Sequence, residues 1–273
     1  MKRVVVALAV LSACGFDVTS GAAPGDGASR DARSDDDPVI DAAPDAPVER
    51  VTQNLLALYT FSEGSGTVVT DQSGVSPPLD LVISEPGRVQ WGTGTLTITQ
   101  ANTIASEEPA SKLVAGCRDA DAFTLEAWII PGAIDGATLG RVATLSSSNS
   151  SLAVTLMALG SHYEFRMYGP MTDTNGLPSL NTANDTHVVG TLRHVVLVSA
   201  PSGDRRVYLD GMQVAADQLG GDLAIWGTAA HRFALGNELD GNRVWRGTYD
   251  LVAVYARALT LTEVQQNFAA GPK

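Results

Sequence analysis

From Leu55 onward the chain is a series of short apolar runs, each closed by Gly, Pro, Ser, Asp or Asn. Leu55–Phe61, Thr67–Thr70, Leu79–Ile83, Arg88–Trp91 and Thr95–Thr99 are the first five, and runs punctuated in this way predict strands joined in hairpins. Alternation is sharpest in Phe123–Ile130. There Phe123, Leu125, Ala127 and Ile129 fall on one face, and Thr124, Glu126, Trp128 and Ile130 fall on the other. A tryptophan on the second face predicts that this face is also partly covered. Arg141–Ser146, Ser151–Leu159, Tyr163–Tyr168, Leu192–Ser199, Arg206–Leu209, Met212–Ala215, Arg232–Leu235 and Tyr249–Tyr255 continue the pattern. Asp210-Gly211 between two such runs predicts a two-residue hairpin turn. No helical periodicity of ten residues or more is read between 51 and 258. The end of the chain differs. Thr260 is a good N-cap with Glu263 as its capping-box partner, Leu261, Val264 and Phe268 share a face, and Gly271-Pro272 stops the helix. Many strands without a βαβ rhythm predict an all-β fold, an antiparallel jelly-roll sandwich with a short C-terminal helix.

The first fifty residues follow other rules. Met1-Lys2-Arg3 is basic and Val4–Leu11 is apolar but too short to span a bilayer, which predicts a signal-peptide core. Leu11-Ser12-Ala13-Cys14 resembles a bacterial lipobox, so residues 1–14 are expected to be a lipoprotein signal with Cys14 as the lipidated residue. Gly15 after it resembles the pattern sorted to the outer membrane. Residues 15–50 carry nine acids and three arginines among Ala, Pro, Gly and Ser. With little to bury, such a stretch is expected to be a disordered acidic linker. The domain is expected over 51–273.

Charge and composition narrow the function. A net charge of −12 argues against nucleic acid, whose phosphates need a basic face. His162, His187, His194 and His231 lack metal-ligand spacing, and His194 in its apolar run reads as a structural histidine. Gly64-Ser65-Gly66 is a turn with no helix after it, not a phosphate loop. With Cys14 lipidated, Cys117 has no intramolecular partner and reads as a buried apolar residue.

Several runs agree with one family in order and spacing: Ala57–Gly66, Asp71–Gly74, Phe123–Ile129, Arg193–Val196, Val207–Gly211, Phe233–Glu238, and Gly247–Leu259 with the helix after it. Together they resemble bacterial laminin-G-like domains of the concanavalin A-like lectin/glucanase superfamily. The resemblance implies a jelly roll of two curved antiparallel sheets that binds carbohydrate or protein, often with calcium. In the wider superfamily a calcium often joins the first strand's turn to the last strand, which implies Glu63 and Asp250 as ligands of a structural calcium. Asp250 capping a turn or pairing with Arg246 stays open beside it.

Glucanases of that superfamily carry Glu-x-Asp-x-x-Glu on one strand, and retaining hydrolysis needs two carboxyl groups about 5–5.5 Å apart. Phe123–Ile129 offers only Glu126, and the adjacent Glu107 and Glu108 would point to opposite faces of a strand. The chain is therefore expected not to be an enzyme. Aromatic rings stack on sugar C–H faces while amides and carboxylates take the hydroxyls. Trp226, Trp245, Tyr163 and Tyr168 are the candidate platforms, with Asn237, Glu238, Asp240, Asn242 and Arg243 as polar neighbours. Trp245 reads more readily as packing. The expected function is a non-catalytic surface module of the cell envelope, lipid-anchored in the membrane, that binds a glycan or an extracellular protein. The alternative is an interaction or structural lipoprotein without a sugar site.

Overall fold

The computed structural model describes residues 47–133, 139–227 and 230–273. The signal, Cys14 and most of the linker lie outside the described residues. Sixteen strands are described. In chain order they are β1 (Leu55–Tyr59), β2 (Val68–Val69), β3 (Leu81–Ile83), β4 (Val89–Gly92), β5 (Thr95–Ile98), β6 (Ile104–Ala105), β7 (Phe123–Pro131) and β8 (Leu139–Ser148). They continue with β9 (Ser151–Leu159), β10 (His162–Met167), β11 (Leu180–Asn181), β12 (Arg193–Ser199), β13 (Arg205–Leu209), β14 (Met212–Asp217), β15 (Arg232–Leu235) and β16 (Gly247–Tyr255). Helix α1 spans Ser111–Ala120 and helix α2 spans Leu261–Ala270.

The strands form two eight-stranded antiparallel sheets, as the jelly-roll reading expects. The first runs β14-β13-β12-β7-β16-β5-β4, and the second runs β11-β10-β9-β8-β15-β6-β3-β2. β1 joins the first sheet on β16. The first half of β16 pairs with β5 and its second half with β1. A bulge between Tyr249 and Leu251 separates the halves and leaves Asp250 out of the ladder with β7.

Phe123, Leu125, Ala127 and Ile129 point into the core between the sheets, against residues such as Leu145, Leu156, Phe165 and Phe233. The other face of β7 is covered as well. Trp128 sits in a second apolar cluster with Val196, Tyr208, Tyr255, Leu259 and Val264 beneath α2. Its ring stacks on His194 at 4.6 Å and on Phe268 at 5.7 Å.

Helix α2 starts as expected, with both halves of the Thr260–Glu263 capping box formed. Its docking face keeps Val264 and Phe268 of the apolar stripe but takes Asn267 in place of Leu261. Leu261 is exposed, Phe268 is 40 % exposed although its ring stacks on Trp128, and the fully buried positions are Val264 and Asn267. The polar Asn267 is there because it has partners. Its side chain accepts from Val51 N at 2.8 Å and donates to Glu126 at 2.8 Å and to the Tyr255 hydroxyl at 3.1 Å. Glu126 also takes His194 Nε2 at 2.9 Å and the Arg50 guanidinium, which donates in addition to Gly271 O. Burial opposes ionisation of Glu126, but the His194 hydrogen bond and the Arg50 charge hold its carboxyl down to about 2. Glu49 O accepts from Gln266, so packing of the domain begins ahead of Val51.

Helix α1, ten residues long, lies in the stretch where no helical periodicity of that length is read. It buries Leu113, Val114 and Cys117, and its Gly116 lets Leu56 approach to where a Cβ would be 2.8 Å from Leu56 Cδ1. Cys117 is buried, with its thiol pushed up to about 12 by desolvation. No helix among the described residues is long and apolar enough to cross a membrane.

Candidate functional site

An open cleft of about 840 Å³ lies at the rim of the first sheet. Thr60, Ser62 and Gly64 of the loop after β1 form one wall, Trp91, Gly92, Thr93 and Gly94 of the β4–β5 hairpin form another, and Pro272 and Lys273 close the end. Thr93-Gly94 is the two-residue turn between β4 and β5, and Gly94 takes φ +66°, a left-handed value that a side chain would strain. Trp91 is part-buried, and its Nε1 donates to Gly66 O at 3.1 Å. That bond ties the hairpin to the loop and holds the indole at the cleft. Phe61 inside the loop takes φ +52° and packs its ring on Tyr249 at 5.5 Å. Ser62 Oγ accepts from Gln72 Nε2 at 2.9 Å, and Thr60 Oγ1 lies 2.9 Å from Gln72 Oε1. The cleft thus sets one indole beside a wall of hydroxyls.

Two carboxylates flank this loop. Glu63 Oε1 accepts from Thr70 N and Thr70 Oγ1, each at 2.7 Å, while its Oε2 is buried without a partner. Asp250, turned out of the ladder by the bulge, also has a buried Oδ2 without a partner. Burial pushes the Asp250 carboxyl up, and the Lys273 ammonium works against that shift. Two orphaned hard oxygens suit two positions in a calcium shell. Among the described residues no group of three His, Cys, Asp or Glu side chains is gathered for a metal. Glu63 and Asp250 are thus two separate unpartnered carboxylate oxygens and not an assembled metal centre among the described residues.

The aromatic platforms expected from sequence lie elsewhere. Trp226 is 2 % exposed, packs on Phe123 at 5.7 Å and donates Nε1 to Tyr168 O at 2.8 Å. Tyr163 is 1 % exposed, edge-on to His187 at 5.4 Å, with its hydroxyl pushed up by burial. Neither ring offers a face to a ligand, and Trp245 is likewise core. Tyr168 is part-buried against the same core. The glycines around Trp226 suggest a loop tip, but its place is set by Phe123, about a hundred residues earlier in the chain.

The polar candidates divide. Asn237 and Glu238 are buried. Asn237 Oδ1 accepts from Glu238 N at 2.9 Å and Arg243 N at 2.8 Å, and Nδ2 donates to Gly241 O, which fixes the 237–243 loop. Glu238 pairs with the buried Arg141 and accepts from Ser146 Oγ at 2.6 Å. Burial, with the nearby charges of Arg243 and Arg166, pulls the Arg141 guanidinium down to about 10. Asp240 and Asn242 are exposed and Arg243 is part-buried. None of them lines the Trp91 cleft. Sequence reading places Trp91 only at a strand end; the available signal is a tryptophan running directly into Gly92-Thr93-Gly94.

A two-sheet jelly roll with an aromatic-and-hydroxyl cleft at its rim defines a lectin-like sandwich. The chain belongs to the laminin-G-like branch of the concanavalin A-like lectin/glucanases superfamily, whose family profile matches residues 91–265. No curated protein matches the sequence. Among solved structures, the Trypanosoma rangeli sialidase in complex with sialic acid is similar at TM-score 0.56 and 18% identity, covering 79% of this chain and 32% of that one. The binding domain of botulinum neurotoxin serotype C1 is similar at TM-score 0.59 and 11% identity, covering 79% of this chain and 51% of that one. A botulinum neurotoxin type C structure, described as entering cells by interaction with two ganglioside molecules, is similar at TM-score 0.60 and 12% identity, covering 80% and 51%. At these identities the likeness is one of fold, and the chain spans less than two thirds of each.

Proposed function

We propose that the chain is a non-catalytic glycan-binding module and that the Trp91 cleft is its binding site. The observation that carries this reading is the pairing of a part-buried indole with the Thr60, Ser62 and Thr93 hydroxyls in one open cleft. Its volume lies in the range of small-ligand sites, about 300–1,000 Å³. Solved neighbours of the same fold are described with sialic acid and with gangliosides, which supports a glycan as the ligand class. Against catalysis stands Glu126, the one acid of its strand, buried under α2 in an ion pair with Arg50 and a hydrogen bond with His194. A glycan array with the full chain tests the proposal, run with and without a calcium chelator. Trp91→Ala is expected to weaken the best binder at least about tenfold, as loss of a central aromatic anchor does. An array on which no glycan binds, or on which Trp91→Ala binds unchanged, overturns it in favour of a protein-interaction module. Loss of binding in chelator that Glu63→Gln and Asp250→Asn each reproduce would assign these two residues to a calcium.

The same proposal places the module on a cell envelope, in the outer membrane, anchored by lipid on Cys14 and spaced by residues 15–50. Cys14→Ser is expected to move the protein from the membrane pellet to the soluble fraction. Retention in the pellet overturns the anchor.

A further inference from the structure

A second cleft, of about 410 Å³, opens on the outer face of the second sheet. It shares no residue with the Trp91 cleft. Val82, Ala105 and Leu239 give it apolar surface, and Ser84, Thr103, Glu107, Arg232, Asp240 and Gly241 complete the lining. The ladder explains the placement. Val82 pairs with Ala105, and Ala105 pairs with Ala234. Two residues further along that antiparallel register, Arg232 falls opposite Glu107 on the same face. Ser106 N donates to Phe233 O at 2.9 Å, which shows the register continuing that far.

Arg232 is unlike the deeply buried arginines of the domain. Arg141 pairs with Glu238 and Arg205 pairs with Asp217. Arg232 donates Nε to Ser106 O at 2.5 Å, and no carboxylate among the described residues forms an ion pair with it. Its fork is therefore held in orientation by a backbone carbonyl and lines the cleft without a direct ion pair to a described carboxylate. The facing wall is prebuilt. The 237–243 loop is pinned from within by Asn237, and Asp240 accepts from Asn149 Nδ2 at 2.8 Å and Asn242 N at 3.1 Å.

We propose that this cleft binds a sugar acid of monosaccharide size, with its carboxylate on Arg232 and its hydroxyls donating to Glu107 and Asp240. A guanidinium fork matches a carboxylate through two parallel hydrogen bonds, and ionised carboxylates accept hydroxyl protons but donate none. A neutral sugar leaves the Arg232 charge unmatched. A carboxylic acid without hydroxyls meets Glu107 and Asp240 with nothing to give them. Only a ligand carrying both groups satisfies the lining.

The test is calorimetric titration of the full chain with methyl β-D-glucuronide, methyl β-D-glucoside and cyclohexanecarboxylate. The glucuronide is expected to bind at least about tenfold tighter than either control, the scale of one charge-assisted contact. Arg232→Gln is expected to remove that margin, and Trp91→Ala to leave it intact. Asp240→Asn, at an exposed position, is expected to weaken the glucuronide several-fold; it decides the matter should Arg232→Gln fail to fold. No glucuronide binding, equal binding of glucuronide and glucoside, a margin that survives Arg232→Gln, or unchanged affinity in Asp240→Asn each overturns the proposal.

Discussion

Glu126→Ala is expected to cost the domain about 3–5 kcal/mol, the scale for removing one partner of a buried ion pair. For a domain of this size that lowers the thermal midpoint by about 6–20 °C. The physical reason is that Arg50, His194, Asn267 and the Tyr255 hydroxyl all converge on this carboxylate. Without it, a guanidinium and several donors are left in a closed space with no acceptor. The same residue sets the response to acid. Its folded pKa of about 2 lies below the ordinary glutamate value of 4.5. The network therefore contributes stability above 4.5, and that contribution is lost as pH falls from there through about 2. Thermal melts of wild type should show this loss across the window, and Glu126→Gln should remove the part of it that Glu126 carries. Equal slopes for the two proteins between these pH values would show that the carboxylate is not the titrating group.

Glu238→Ala is expected to be as severe, again about 3–5 kcal/mol in urea denaturation. Arg141 is 1 % exposed, with Arg166 and Arg243 as neighbouring charges, and Glu238 is the carboxylate that compensates it. Its other donations, to Thr144 Oγ1 at 3.1 Å and Asn149 O at 2.9 Å, are to neutral groups. Removing both charges, as in Arg141→Met with Glu238→Leu, is expected to recover most of the loss, because two buried ions are exchanged for apolar packing. A double variant no more stable than Glu238→Ala would show that the pair contributes more than mutual compensation. The severity marks Glu238 as a support of the 237–243 loop, although by residue type it resembles a ligand contact.

What was legible along the chain is what is local. Period-two alternation, glycine turns and the Thr260 capping box are short-range signals, and the hairpins and α2 follow from them. Helix α1 carries none of these. Its N-cap is Ala110 without a side-chain bond, its interior holds Gly116, and it closes at Asp121 with φ +50°. Its apolar positions Leu113, Val114 and Cys117 span little more than one turn. The partners of Glu126 lie 68, 76, 129 and 141 residues away, so neither its burial nor its charge state is visible in Phe123–Ile129. Alternation did show that the Trp128 face is covered. It could not show that the cover is half polar. Trp226 is buried and Trp91 lines the cleft for the same reason, since exposure is a property of neighbours distant in sequence.

The first described residues leave the fold beside α2. Gln266 holds Glu49 O at 2.7 Å, Asn267 holds Val51 N at 2.8 Å, and Arg50 reaches both Gly271 O and Glu126 on the central strand β7. A pull applied to the chain ahead of Val48 therefore does not begin by peeling β1 from β16 one rung at a time. It strains these bonds together and passes tension to the middle of the first sheet. An anchorage of this kind resists force as a shear joint does, and its strength would fall with protonation of Glu126.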